Sequence, residues 1–215
     1  MTDFNRTQLY LITPPKVDLG TFPGILERTL DAGSVACIQL RLKNALEHEI
    51  RTAIDILKPI AQNRGVAFLL NDDPVLAADT GCDGVHIGQK DASYADARKT
   101  VGPNAIVGVT CHNSRHLGME AAELGADYVA FGAFFETVTK TPLTYAEFEI
   151  LEWWSQDMTV PAVAIGGINV DNCLPIIETG IDFMAISSGI WDYKLGPQAA
   201  VKSLNQLIEE TPAPR

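Results

Sequence analysis

The chain has 215 residues, 47% of them hydrophobic and 20% charged, and its formal net charge is −11 at pH 7. An acidic chain is a poor match for nucleic acid, whose partners are basic. No apolar run reaches the roughly 20 residues of a membrane span, and the N-terminal segment MTDFNRTQLY lacks a signal-peptide pattern. The four cysteines are scattered without metal or redox spacing, which predicts reduced thiols in a cytoplasmic protein. The sequence leaves assembly into a homo-oligomer open.

Short apolar runs alternate along the chain with longer segments of helical period. Eight runs are found: Leu9–Thr13, Ala36–Leu42, Ala67–Leu70, Gly84–Gly88, Ala105–Thr110, Tyr128–Phe134, Pro161–Gly167 and Phe183–Gly189. Continuous apolar runs of this length are typical of parallel strands that are buried on both faces.

The clearest helical segments are Ala45–Asn63, Asn113–Leu124 and Asp171–Glu178. Asn113 is a good N-cap residue for the second segment, and the last two segments end before a glycine. On the first, Leu46, with Ile50, Ile54 and Leu57, forms one apolar face. Eight strand–helix repeats predict a single α/β domain, a parallel (β/α)8 TIM barrel over residues 1–215, with a frayed tail from about residue 211. The alternative is a doubly wound open sheet, which needs a glycine-rich turn after the first strand. The sequence there is TPPKVD.

The catalytic groups of such barrels lie at the carboxyl ends of the strands. The second run carries Gln39, Arg41 and Lys43, and the two-residue period of a strand puts all three on one face. Two inward cations are costly without a partner, and a phosphate group would supply one. The alternative is a salt bridge to an acid on a neighbouring strand.

Acidic residues follow the third and fourth runs. Asn71, Asp72 and Asp73 end the third, and Asp91 lies just beyond the fourth. Adjacent strands would bring Asp72 and Asp91 within reach of one Mg²⁺, which would bridge them to a diphosphate. The alternative is that Asp72 or Asp73 caps the helix after Pro74, and that Asp91 caps the helix that starts near Ser93.

The remaining strand ends point to a second anion. The loop Glu136–Lys140 suits closure over phosphate, although this segment taken alone favours an ordinary solvated polar loop. The seventh run ends in Gly166–Gly167 and the eighth in Ser187–Gly189. Loops at these two positions commonly hold a phosphate through backbone N–H groups. The chain therefore predicts a metal-assisted diphosphate site and a separate monophosphate site.

In order, the motifs QLRLK, LLND, DGVHIGQKD, GVTCH, TVTK, AIGGI and a serine pair before GI cover about Leu9 to Ile190. This ordered set resembles the thiamine-phosphate synthase family. The resemblance implies a transferase that joins a hydroxymethylpyrimidine diphosphate to a thiazole phosphate and releases pyrophosphate, with Mg²⁺ as cofactor and small molecules as its substrates.

The resemblance also implies a role for each matching residue. The implied diphosphate and pyrimidine contacts are Gln39, Arg41, Lys43, Asn71, Thr110 and Lys140, with Thr110 where the family usually has serine. The implied thiazole-phosphate contacts are Thr137, Thr139, Gly167, Ser187 and Ser188. The implied Mg²⁺ ligands are Asp72 and Asp91.

The loop after the sixth run departs from the family pattern. Gly132–Ala133 stands where the family often has Gly-Pro, and Glu136 stands where it has proline. Two other functions stay open on the sequence: a thiazole phosphate tautomerase that uses His112, and a phosphate-binding barrel without catalysis.

Overall fold

The computed structural model describes residues 6–137 and 144–212, which form a closed barrel of parallel strands arranged in chain order. The strands are β1 (Gln8–Ile12), β2 (Cys37–Leu40), β3 (Ala67–Asn71), β4 (Gly84–Ile87), β5 (Ile106–His112), β6 (Tyr128–Gly132), β7 (Ala162–Ile165) and β8 (Phe183–Ile186). The barrel closes because β8 also pairs in parallel with β1, with Tyr10 opposite Ala185. The predicted (β/α)8 barrel is confirmed.

Helices connect the strands and cover the outside of the barrel. They are α1 (Phe22–Leu30), α2 (Glu47–Gln62), α3 (Pro74–Thr80), α4 (Tyr94–Val101), α5 (Arg115–Leu124), α6 (Phe148–Asp157), α7 (Leu174–Glu178), α8 (Ser188–Trp191) and α9 (Pro197–Glu210). The short helix α8 follows β8 directly, in addition to the longer helix that completes the last repeat.

Successive residues of each strand point alternately into one of two hydrophobic clusters, because neighbouring side chains in a strand face opposite sides. On β1, Leu9 and Leu11 belong to the large cluster between the strands and the helices. Tyr10 and Ile12 belong to a smaller cluster, which fills the barrel interior. Interior positions near the carboxyl ends of the strands therefore support the floor of any site that opens there.

The structure differs from the prediction at the end of β2, at the start of α5 and on the buried face of α2. Strand β2 ends at Leu40, two residues earlier than expected. Helix α5 begins at Arg115, because the Ser114 hydroxyl, rather than Asn113, caps it by accepting from the Leu117 N–H at 3.2 Å. Leu46 precedes α2 and is 62% exposed, so it does not share the buried face with Ile54.

Within residues 6–137 and 144–212, no helix is both long and apolar enough to cross a membrane. All four cysteines lie in the described part of the chain and carry free thiols, and Cys37, Cys111 and Cys173 are buried. The cytoplasmic location inferred from the cysteines stays a prediction.

Candidate active site

A cavity of about 470 Å³ opens at the carboxyl ends of the strands, and residues at or just after all eight strands line it. Ten of the predicted site residues are in its wall: Gln39, Arg41, Asn71, Asp72, Asp91, Thr110, Thr137, Gly167, Ser187 and Ser188. This is the end of a (β/α)8 barrel at which catalytic residues are found.

The end of β2 contributes an amide and a cation to the cavity. Gln39 is 3% exposed, and its Nε2 donates to the Tyr10 hydroxyl at 2.7 Å. The backbone N–H of Arg41 donates to Thr13 Oγ1 at 2.9 Å, which fixes the start of the loop. Lys43 is not among the described residues that line the cavity, and its N–H donates to the Pro15 carbonyl. Strand β2 ends at Leu40, before Arg41 and Lys43, so the common face of these two residues stays a prediction.

The end of β3 separates two neighbouring carboxylates. Asp73 caps α3, since its carboxylate accepts from the Leu76 N–H at 2.9 Å. Asp72 has a left-handed backbone with φ of 68°, and its N–H donates to the His86 carbonyl at 2.8 Å. A non-glycine residue in this conformation costs about 1–2 kcal/mol and is common at functional sites. The turn exposes Asp72 at the cavity while Asp73 faces the helix.

Asp91 lies in a tight turn after β4. Its Oδ2 accepts from the Gly88 N–H at 2.7 Å, and its own N–H donates to the Gly88 carbonyl at 3.2 Å. The Ser93 hydroxyl caps α4, accepting from the Asp96 N–H at 3.2 Å. The alternative role of Asp91 as that cap is therefore wrong, and its exposed carboxylate lines the cavity instead.

The end of β5 contains an irregularity that turns two polar residues into the cavity. Thr110 pairs with Ala130, but His112 pairs with Phe131, so Cys111 is an extra residue on this strand. Cys111 is fully buried, and burial raises the pKa of its thiol to about 12. Bulges of this kind re-aim side chains near active sites. Thr110 and His112 consequently both line the cavity.

The opposite wall is made of close backbone. Gly167 has φ of 69°, and a Cβ there would lie 2.3 Å from the Glu136 carbonyl oxygen, so only glycine fits. The Gly167 carbonyl accepts from Asn172 Nδ2 at 2.9 Å. Ser187 Oγ donates to the Thr13 carbonyl at 3.3 Å, and Ser188 begins α8. These contacts hold the loops after β7 and β8 in place.

Below the cavity, buried side chains form a hydrogen-bonded chain. Its atoms run from Gln39 Nε2 to the Tyr10 hydroxyl, to the Tyr128 hydroxyl, through the His86 ring and to Thr110 Oγ1. Burial raises the pKa of both tyrosines well above the usual value, so both phenols keep their protons.

The family model described as thiamine monophosphate synthase matches residues 9–190. This chain belongs to that family. A thiamine-phosphate synthase from Rhodospirillum centenum is 55% identical over 97% of this chain and 99% of its own, and one from Hyphomonas neptunium is 48% identical over 95% of each. The solved thiamine phosphate pyrophosphorylase from Pyrococcus furiosus superposes with a TM-score of 0.82 at 29% identity, covering 96% of this chain and 97% of that one.

These relatives confirm the resemblance, the transferase class and the predicted thiamine-phosphate synthase function. They do not favour the tautomerase or the non-catalytic barrel. The matched span of the family model runs through every strand of the barrel from Leu9 onward, as the ordered motifs suggested.

The structure brings most, but not all, of the expected site residues into one cavity. Most line one cavity, whereas Lys43 lies in the loop beyond β2, and Thr139 and Lys140 fall outside the described residues. His86, Gln89 and Lys90 also line the cavity, although the sequence motifs did not identify them as site residues. Two features of the sequence could have identified them. Gln89 and Lys90 belong to the GQKD motif that follows the fourth run, and His86 lies on the same face of its strand as Gly84 and Gly88.

Proposed function

We propose that this thiamine-phosphate synthase transfers the hydroxymethylpyrimidine group from its diphosphate to a thiazole phosphate within the 470 Å³ cavity, with Mg²⁺ bound by Asp72 and Asp91. The observation that carries the proposal is the meeting of Arg41, Asp72 and Asp91 on one wall with Gly167 on another. An enzyme that joins a diphosphate to a monophosphate needs two such anion sites.

The donor set supports Mg²⁺. Asp72 and Asp91 offer exposed carboxylate oxygens in the same cavity, and Asn71 and His86 are opposite each other in the β3–β4 ladder that leads to them. Within the described residues, no cluster of three or more acidic, histidine or cysteine side chains suits a metal. Mg²⁺ is usually held by one or two carboxylates together with substrate phosphates, so a two-carboxylate set fits.

The leaving group is pyrophosphate, which gains negative charge as its bond to the pyrimidine methylene breaks. Bound Mg²⁺ would supply charge stabilisation for that group. Arg41 would pair with its oxygens and Thr110 would donate a hydrogen bond to it. Lys43 and Lys140 are proposed to add positive charge from the loops after β2 and β6. The thiazole nitrogen attacks the methylene, so no protein nucleophile is required.

The second substrate would bind against the loops after β7 and β8. Gly167 brings the backbone close to the cavity, and Ser187 and Ser188 line the cavity at the start of α8. Loops at these positions, together with a short extra helix, form the phosphate site of many (β/α)8 enzymes. Ser187 and Ser188, with Thr137 and Thr139, would complete the contacts to the thiazole phosphate.

The test is product formation with matched variants. Purified protein is mixed with both substrates and Mg²⁺, and thiamine phosphate and pyrophosphate are measured. We expect EDTA, Asp72→Ala and Asp91→Ala each to abolish most turnover. Asp73→Ala is the control, since that neighbouring carboxylate caps α3. Full turnover in the presence of EDTA would contradict the metal, and no product from the wild type would contradict the reaction.

A further inference from the structure

The chain of buried hydrogen bonds that crosses the barrel interior joins two residues of the cavity wall. Gln39 Nε2 lies 2.7 Å from the Tyr10 hydroxyl, which lies 2.9 Å from that of Tyr128. The Tyr128 hydroxyl is 2.8 Å from His86 Nδ1, and His86 Nε2 is 2.8 Å from Thr110 Oγ1. Its five members come from β2, β1, β6, β4 and β5, so only the closed barrel brings them together.

The three central members of this hydrogen-bonded series, Tyr10, Tyr128 and His86, are buried and closely packed. Tyr10, Tyr128 and His86 are exposed by 3%, 6% and 7%. The His86 and Tyr128 rings stack with centroids 5.6 Å apart. Gly108 leaves room for the phenol, since a Cβ there would lie 1.9 Å from the Tyr128 ring. Buried polar groups need partners, so each proton of the chain has to be accounted for.

With Gln39 Nε2 as the donor at one end, the protons of this hydrogen-bonded series all point the same way. Both phenols keep their protons because burial raises their pKa. Tyr10 accepts from the Gln39 amide, so its own proton goes to the Tyr128 oxygen. Tyr128 must then donate to Nδ1 of His86. A neutral imidazole that accepts at Nδ1 carries its proton on Nε2, and it donates that proton to Thr110.

We propose that Tyr128 and His86 are positioning residues that make the Thr110 hydroxyl a hydrogen-bond donor into the cavity. Because Thr110 Oγ1 accepts from His86, its own proton is left for a ligand. Phosphate oxygens only accept, so this polarity suits the pyrophosphate leaving group; that identification of the ligand rests on the proposed function. Reversal of the chain would instead present a Thr110 lone pair to the same oxygens.

The first test reads the His86 tautomer directly. Nitrogen-15 NMR of histidine-labelled protein, with His86 assigned by its loss in His86→Asn, should show a neutral ring protonated on Nε2 in the wild type. Tyr128→Phe keeps the stacked ring and removes the donor to Nδ1, so the signal should shift toward a mixture of tautomers. A wild-type ring protonated on Nδ1 would overturn the proposal. This measurement needs no turnover, so it stands even if the proposed reaction fails.

The second test is a double-mutant cycle on turnover. Thr110→Val removes the hydroxyl and keeps the branched shape, and Tyr128→Phe alone should lower kcat about tenfold by misdirecting that hydroxyl. Added to Thr110→Val, Tyr128→Phe should have no further effect, because the hydroxyl it directs is gone. Multiplicative losses in the double variant would overturn the proposal.

A matched control removes a phenol from outside the barrel. Tyr94 donates to the Gly125 carbonyl on the helical side, away from the cavity. Tyr94→Phe should leave kcat and the His86 signal unchanged. If Tyr128→Phe fails to fold, Tyr10→Phe interrupts the chain one link earlier, and it should also loosen the tautomer preference of His86. An unchanged His86 signal in Tyr10→Phe would count against the proposal.

Discussion

Aspartates occur at both ends of the barrel, but they are used differently. At the amino end, three aspartates precede the even-numbered strands β4, β6 and β8, and each carboxylate accepts a backbone N–H at the start of the preceding strand. The pairs are Asp83 with Phe68 at 2.7 Å, Asp127 with Val107 at 2.7 Å and Asp182 with Ala162 at 2.8 Å. This repeat ties neighbouring strands together at the end of the barrel opposite the cavity.

At the carboxyl end, Asp72 and Asp91 are exposed in the cavity wall. Asp91 accepts a backbone N–H from Gly88, which lies within the same turn. We propose that the same side chain serves stability where backbone donors surround it, and ligand binding where it lines an open cavity. Substitutions at the two ends should therefore separate activity from stability.

The largest effect should come from Asp91→Asn. The amide oxygen can still accept from Gly88, so the turn should keep its shape while the negative charge is lost. We expect turnover to fall on the order of 100-fold, the scale seen when one electrostatic contact to a transition state is removed. Steady-state kinetics and a thermal melt check this. Asp127→Asn is the control at the other end, and an equal loss of turnover there would erase the distinction.

The next effect should be on folding, in Asp127→Ala. This substitution leaves the Val107 N–H without its acceptor and also removes the ion-pair partner of Arg98. Loss of a partner from a buried donor costs about 1–3 kcal/mol, and we expect a drop in the free energy of unfolding within that range. Urea denaturation measures it. Turnover of the folded enzyme should stay within about twofold of wild type, and unchanged stability would count against the structural role.

A smaller effect on folding should distinguish Asp73 from the adjacent residue Asp72. Asp73→Ala removes the cap of α3 and should lower the free energy of unfolding by about 1 kcal/mol with turnover preserved. Asp72→Ala should preserve stability and lose turnover. Denaturation and kinetics on both variants give the comparison, and reversed effects would show that the two roles have been exchanged.

The smallest effect should be a pH dependence at the amino end. Burial raises the pKa of Asp182, although the hydrogen bond from Ala162 opposes the shift. The folded chain therefore holds this proton more tightly than the unfolded chain. Its contribution to stability is present below the usual aspartate pKa and is lost as pH rises to the raised value. The stability difference between wild type and Asp182→Asn should decrease over that window in acid denaturation series. A difference that increases with pH would contradict it.

Much of the fold was predictable because the strands are continuous apolar runs. All eight were predicted near their observed positions, and Asp73 as a cap followed from its place before Pro74. The ends were harder: β2 stops at Leu40, so the two-residue period of a strand does not by itself fix where Arg41 and Lys43 point. Asn113 was expected as a cap, but the bulge carries β5 to His112 and moves the cap to Ser114.

The series of buried hydrogen bonds from Gln39 to Thr110 was not predictable from the local sequence pattern. Tyr10, His86 and Tyr128 each lie in an apolar run and look like core residues. Tyr10 and Tyr128 are 118 positions apart, and only closure of the barrel joins them. The two-residue period of each strand indicates which residues face the barrel interior. It does not indicate which interior residues contact one another across the barrel.

The most direct test of the division between the two ends is metal binding itself. Manganese(II), as a paramagnetic substitute for Mg²⁺, is titrated into the protein with inorganic pyrophosphate and followed by electron paramagnetic resonance. We expect one pyrophosphate-dependent site that binds manganese(II) at least tenfold more weakly in Asp72→Asn and in Asp91→Asn and equally well in Asp127→Asn. Equal binding by all four proteins would contradict the assignment of the carboxyl-end aspartates as metal ligands.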